Sequence, residues 1–265
     1  MEATVVRISI APVKSLALVH PDEIEIGPHG VSGNRRFWLV DEDGRLFNNK
    51  RFGPMQRIRP EWDEDTRTLA LTFPDGERVE GAVELGEAVV RDLWGEPTSS
   101  RQVLGPWQDA LSRFAGRDLT LLWADRHATD RGYRGGTISL VSRASLERLA
   151  EEAGIDEPVD GRRFRMLLEI DGVGAHEEDG WLGTQVQVGE AVLVLNGDVG
   201  RCVVTTQNPD TGETDLDTLG TLAHYRRDGR FEPLPFGVYG AVAVPGRVRI
   251  GDAVRPLQSS LLAPT

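Results

Sequence analysis

Short runs of alternating apolar and polar residues dominate the chain, and they predict strands. Val5 to Ile10 (VVRISI) and Glu23 to Ile26 read this way. Arg36 to Val40, Asp43-Gly44 and Arg45 to Phe47 form a hairpin signal, and so do Thr68 to Phe73, Asp75-Gly76 and Arg78 to Val83. Asp-Gly readily supplies the positive φ that a tight hairpin turn requires. Further strands are predicted near Leu119 to Trp123, Thr137 to Val141, Phe164 to Ile170, Gln185 to Val188, Ala191 to Leu195, Val203 to Thr206, Val238 to Val244 and Arg247 to Ile250. The last of these are short and evenly spaced, as in a barrel. Helical spacing stands out in two places. After Pro106, Trp107, Leu111 and Phe114 share a face and Gly116 offers a stop. Ser142 can cap a second helix that carries Leu146, Leu149, Ala150 and Ala153, with Gly154 as its terminator. The fold class that follows is mainly β (α+β).

The polar, Gly/Pro-bearing segment 95–106 reads as a junction. It divides the chain into an N-terminal β domain, about 1–97, and a β-barrel with flanking helices, about 98–258; residues 259–265 read as a frayed tail. A chain of 265 residues has ample length for a core on either side.

Charge narrows the partners. The formal net charge is −12, which repels phosphate backbones and anionic lipid surfaces, so neither a nucleic-acid protein nor a membrane-surface protein is expected. No apolar run is long enough to span a bilayer, and the opening residues show no secretory signal; the expected compartment is the cytoplasm. A single cysteine excludes an internal disulfide framework, a CxxC zinc site and a four-cysteine iron–sulfur cluster. There is no GxxxxGK[ST] loop and no HExxH, and Gly172-Val173-Gly174 lacks the third glycine of a dinucleotide site. The five histidines are scattered and read as surface or hydrogen-bonded side chains, and His176 to Asp179 (HEED) reads as a solvated loop.

Cys202 follows Gly200-Arg201 and precedes a β-branched stretch. It is either a packed structural cysteine or a thiolate favoured by Arg201 and nearby N–H groups, able to act as nucleophile or soft-metal ligand. Two basic spots stand out in so acidic a chain: Asn34-Arg35-Arg36 with Lys14-Ser15 upstream, and Arg162-Arg163-Phe164-Arg165. If 164–170 is a strand, Arg163 and Arg165 share the face opposite Phe164, Met166, Leu168 and Ile170. Such a pair is either a set of solvated charges or a grip for a phosphate dianion.

These residues resemble MOSC-domain proteins, which share the C-terminal domain of molybdenum-cofactor sulfurases, and in particular the mitochondrial amidoxime reducing component and its bacterial relatives. The resemblance rests on three stretches. They are Pro12-Val13-Lys14-Ser15 with Arg36-Phe37-Trp38-Leu39-Val40; Ser139 to Ser142 with Ala144-Ser145-Leu146 and Arg163-Phe164-Arg165; and Arg201-Cys202 with Thr205-Thr206 and Pro209 to Gly212. Phe236 to Tyr239 and Val248 to Asp252 complete it. The resemblance implies a MOSC N-terminal β domain followed by a MOSC β-barrel. It implies a molybdenum cofactor (Mo-molybdopterin) ligated by Cys202, with Lys14, Ser15, Arg36 and Arg165 on its phosphate and pterin, and Ser142 and Tyr239 lining the same pocket. It further implies reduction of small N-oxygenated compounds (amidoximes, hydroxylamines, N-oxides) with electrons from a separate donor protein. The alternatives are sulfur transfer through a Cys202 persulfide and a non-catalytic cofactor carrier. The carrier reading comes from Met166-Leu167, where many relatives have Pro-Asn: by strand alternation Leu167 lies on the arginine face and replaces a polar cofactor contact.

Overall fold

A computed structural model describes residues 2–93, 96–125 and 137–257. The frayed-tail expectation for 259–265 therefore falls outside the described residues. The architecture is mainly β. Strands β1 (Ala3–Ile8), β2 (Glu23–Gly27), β3 (Gly30–Val31), β4 (Phe37–Asp41) and β5 (Leu46–Phe47) are followed by β6 (Arg59–Asp63), β7 (Thr68–Thr72), β8 (Arg78–Ala82), β9 (Glu84–Leu93) and β10 (Glu96–Leu104). Helix α1 (Trp107–Ala115) and β11 (Leu119–Ala124) come next. The second half contains β12 (Ile138–Ser142), α2 (Arg143–Ala153), β13 (Leu168–Asp171), β14 (Gln185–Val188), β15 (Ala191–Gly200), α3 (Thr218–Tyr225), β16 (Pro235–Val244), β17 (Gly246–Arg249) and β18 (Ala253–Leu257).

Seven strands close a barrel in the order β1-β13-β12-β16-β15-β14-β18, parallel only at β12–β13. Inward positions supply its core, among them Val5, Ile8, Leu140, Ile170, Val186 and Leu193, all with no solvent exposure. Strand β1 is thus a barrel strand, paired with β13 and β18 from the second half, while β2 and β3 join β17 in a separate three-stranded sheet. Between β3 and β12 the chain builds a sheet in the order β5-β4-β11-β10-β9 and the meander β6-β7-β8. Strand β4 is buried on both faces, which explains its unbroken apolar run: Phe37 and Leu39 enter one core with Met55, Leu71 and Trp107, while Trp38 and Val40 enter another with Leu122. The Trp38 Nε1–H, which would be orphaned by that burial, donates to Ser100 Oγ at 3.1 Å.

Both predicted helices form with the predicted ends. Gly116 and Gly154 take φ of 66° and 69° at the C-caps, and Ser142 Oγ accepts from Ser145 N. Both Asp-Gly hairpins form, with φ of 73° at Gly44 and 93° at Gly76. Other elements differ from expectation. Residues 96–104, read as part of a junction, form β10, which pairs with β9 and β11 inside a sheet. Val203–Thr206 is a 3-10 turn, not a strand: Cys202 O accepts from Thr205 N and Thr206 Oγ1 donates to Val203 O, which curls the backbone. Gly161–Phe164 is another 3-10 turn, and Arg165 then adopts a left-handed φ of 53°, so strand β13 starts only at Leu168.

Candidate functional site

A cavity of about 280 Å³ opens at one end of the barrel, where the first strands of the chain meet it. The start of β12, the end of β15, Tyr239 on β16, the turn before β13 and two loops of the first half all reach it. Lys14, Ser15, Arg165, Cys202 and Tyr239 line it together, as do Arg35, Asn49 and Lys50.

The Lys14-Ser15 corner is built from buried neighbours. Val13 and Leu16 have no solvent exposure; Lys14 N donates to Phe37 O at 2.7 Å and Leu16 N to Val13 O at 3.2 Å. This tight turn forces Ser15 to a φ of 76°. Among the described residues six non-glycine positions have positive φ, and three of them, Ser15, Arg35 and Arg165, are on this cavity wall. Left-handed backbone at non-glycine residues costs energy and collects at functional surfaces. Here it turns side chains towards one space. Arg35 Nη2 donates to Arg165 O at 3.1 Å and Arg165 Nη2 to Leu16 O at 2.7 Å, which ties the two halves of the chain together at the cavity. Close by, Gln56 Nε2 donates to Gln207 Oε1 at 3.0 Å and Gln207 Nε2 to Asn49 O at 2.8 Å. The backbones also touch, because a Cβ on Gly53 would stand 1.9 Å from Gly212 O.

Cys202 is half-buried at the end of β15, on the N-cap of the 3-10 turn 203–206. Arg201 anchors this corner. Its Nε donates to Phe236 O at 2.9 Å, its Nη1 to Phe164 O at 3.1 Å, and its guanidinium lies 5.1 Å from the Phe164 ring centroid. These contacts fix the backbone beside the thiol. Tyr239 faces Gly197 across β15–β16, where a Cβ would come within 2.5 Å of the phenol oxygen; the glycine makes room for the ring.

Several expected assignments need correction. Arg36 is buried away from the cavity, with Nη1 on Ala124 O at 3.4 Å and its guanidinium 4.6 Å from the Trp123 ring. The left-handed turn at Arg35 reverses the two neighbours, and Arg35 takes the cavity position. Ser142 is fully buried as the cap of α2, sharing a hydrogen bond with Ser145 Oγ at 2.6 Å, while its N–H donates to Glu178 Oε1 at 3.1 Å. It lies four residues along β12 from Ile138, about 13 Å at strand rise. Arg163 and Arg165 do not share a strand face. Arg163 lines the cavity but grips Asp215 bidentately, at 2.6 and 2.8 Å. Leu167 packs in the barrel core at 2% exposure, so it displaces no polar group from the cavity. The cavity also contains two residues that the periodicity does not single out, Asn49 and Lys50. Asn49 is 5% exposed and its Nδ2 has no hydrogen-bond partner.

The chain matches two family models: the MOSC N-terminal beta barrel domain over residues 2–111 and the MOSC domain over residues 126–255. The protein is a member of the MOSC-domain family, in the two-part form that joins both regions. Mitochondrial amidoxime reducing component 2 of Bos taurus is 32% identical over 95% of this chain and 82% of its own. Mitochondrial amidoxime-reducing component 1 of Mus musculus is 26% identical over 95% of this chain and 81% of its own. Molybdenum cofactor sulfurase of Drosophila willistoni is 26% identical over 88% of this chain, which spans only 30% of that protein. Among solved structures, the YuaD protein from Bacillus subtilis aligns with a TM-score of 0.46 at 13% identity, covering 96% of this chain and 94% of that one.

Proposed function

We propose that the protein binds a molybdenum cofactor in the 280 Å³ cavity and with it reduces N-hydroxylated compounds, taking electrons from a separate donor protein. One observation carries this reading. The cavity wall joins the chain's only cysteine to Lys14, Arg35, Lys50 and Arg165, and no carboxylate lines it among the described residues. A phosphorylated pterin needs cations and hydrogen-bond donors, and molybdenum needs a soft thiolate. The donor set fits. Asn49 Nδ2, buried and without an acceptor, is an additional donor of the kind a pterin heterocycle satisfies. The names of the similar proteins support the same chemistry.

When bound, the cofactor supplies two-electron chemistry at an N–O bond. The protein's own share is binding and orientation. Lys14 and Arg165 hold the phosphate end, and Ser15 and Tyr239 offer hydroxyls along the wall. Cys202 presents its sulfur from a backbone that Arg201 and Thr205 hold in place, Thr205 Oγ1 donating to Cys202 O at 3.0 Å. Proximity and electrostatics are then set before substrate arrives.

Metal and pterin analysis of protein made in a cofactor-producing host tests this, followed by benzamidoxime reduction with an artificial donor. Stoichiometric molybdenum and pterin with turnover is the expected result. Neither metal nor pterin would overturn it; a persulfide mass shift on Cys202 in such molybdenum-free protein would move the reading to sulfur transfer.

A further inference from the structure

Arg165 also lines a second cavity, of about 430 Å³, in the cleft between the first half of the chain and the barrel. Its charged wall is unusual for a chain of net charge −12: Arg57, Arg59, Arg162 and Arg165 face a single carboxylate, Asp210. The pairing within it is uneven. Arg162 takes Asp210 bidentately, at 2.8 and 2.9 Å, and also bonds Asp160 at 2.8 Å, so Asp210 is already neutralised. Arg57 and Arg59 are exposed, and among the described residues neither has a carboxylate within salt-bridge distance; Glu61 acts on Arg59 only as a nearby charge. The acid beside Arg59 on its own strand, Glu61, is gripped by Arg78 at 2.7 and 3.2 Å. Both arginines line the one cleft wall, and an anion there would be attracted by both. With acids outnumbering bases 42 to 30, the sequence has carboxylates to spare, yet Asp210, already held by Arg162, is the one carboxylate in the cleft's lining. Leu18 and Pro74 add an apolar surface in the same cleft.

We propose that this cleft is a binding site for a small phosphomonoester, its phosphate on Arg57 and Arg59 and its organic part against Leu18 and Pro74. Guanidinium forks match phosphate oxygens in pairs, and a phosphomonoester near pH 7 carries about −1.5 to −2, enough to neutralise two arginines. The cavity's size is in the range of small-ligand sites. The proposal stands on the cleft's own residues and does not need the first cavity to be occupied.

Titration calorimetry with AMP on cofactor-free protein, with adenosine as the uncharged control, tests it. AMP is expected to bind about tenfold or more tightly than adenosine, to weaken as salt is raised, and to be displaced by inorganic phosphate. The double variant Arg57→Gln/Arg59→Gln removes two exposed side chains that make no salt bridge and so is expected to keep its thermal midpoint while losing AMP binding about tenfold or more. Equal affinity for AMP and adenosine, or unchanged binding in the variant, overturns the proposal. A third arm separates sources of the phosphate. If the cleft serves the pterin cofactor's own phosphate, cofactor loading abolishes AMP binding; a site for a separate ligand binds AMP equally in loaded and unloaded protein. Failure of the cofactor reading shows separately, as missing molybdenum and pterin.

Discussion

The first residues of β12 line the open cavity with Cys202, whereas its last residue, Ser142, bonds Glu178 and Ser145, and Ser145 Oγ accepts from His176 N. Both regions hold polar atoms without partners: Asn49 Nδ2 at the cavity, and His176 Nδ1, Glu178 Oε2 and Asp179 Oδ1 in the closed cluster. They tolerate burial in opposite ways. In the closed cluster, burial drives Glu178 and His176 towards neutrality. Burial pushes the Glu178 carboxyl up, against hydrogen bonds from Ser142 N and Ser145 Oγ. Burial also pushes His176 down, to about 3, with Arg226 and Arg148 adding to the effect. The imidazole packs edge-on to Phe236 and beside Tyr225, in a knot of side chains that also caps α2. The cavity does the reverse, gathering cations beside open volume without a carboxylate. A titratable side chain enclosed by its own neighbours is a structural part; cations gathered along the wall of an open cavity give it a positive field that suits an anionic ligand. Among the described residues no three His, Cys, Asp or Glu side chains converge to hold a metal, so the closed cluster offers no rival centre.

The largest expected effect separates the two regions outright. Cys202→Ser should fold normally and lose turnover by about 100-fold or more, because an alkoxide is far costlier to form than a thiolate and is a harder ligand. The swap changes little volume, so a packing role predicts unchanged chemistry. Wild-type turnover at matched cofactor occupancy would remove Cys202 from the ligand set.

Arg165 and Arg163 sharpen the contrast within one turn. Arg165→Ala should lower pterin retention about 10- to 150-fold, the worth of one charge-assisted contact to phosphate. Arg163→Ala loses an ion pair with a partly exposed Asp215, so its expected effect is about 1 kcal/mol of stability, with pterin retention nearly unchanged. Equal pterin loss in the two variants would show that both arginines act on the ligand or that neither does.

Gly53→Ala tests whether the cavity depends on the joint between the halves. The new methyl meets the Gly212 carbonyl, which is backbone and cannot swing aside. A loss of about 1–3 kcal/mol in urea unfolding is expected, together with reduced cofactor content. Full cofactor content in a destabilised variant would uncouple the joint from the cavity.

The closed cluster should report mainly through pH. The folded His176 value lies below the unfolded value of 6.5, so the unfolded state binds the extra proton as pH falls from about 6.5 towards 3, and stability is lost across that window. Glu178 works in the opposite direction: its raised value costs stability as pH climbs above about 4.5. His176→Asn suits the left-handed φ of 60° and should flatten the acid limb by about 2 kcal/mol after solvent screening, with activity at neutral pH unchanged. Denaturation midpoints at pH 4 and pH 7 measure this, and an unaltered acid limb would show that His176 is not its source.

Local patterning by itself determined the class of fold, both Asp-Gly hairpins, and α1 and α2 with their caps. Those features are encoded within a few residues of one another, where a buried face or a positive φ leaves a direct mark. It also singled out Cys202, Lys14 and Arg165, through residue type and family-like spacing. Patterning did not reveal β3, β6, β9, β10, α3 or β18. Strand β10 carries Pro97, Thr98, Ser99 and Ser100 and obtains its order from partners on both sides. Only the tertiary structure decided that Arg35 and not Arg36 faces the cavity, and that of the two cavity arginines Arg163 and Arg165 the first is held by Asp215. Arg35 rather than Arg36, and Arg165 beside a salt-bridged Arg163, follow from left-handed turns whose bonds run to distant partners, such as Arg35 Nη2 to Arg165 O, 130 residues apart. It likewise gave Leu167 to the barrel core and buried the Ser142 cap away from the cavity. A side chain's direction after a turn depends on where the far end of the chain supplies its hydrogen-bond partners, and no window of neighbouring residues carries that information.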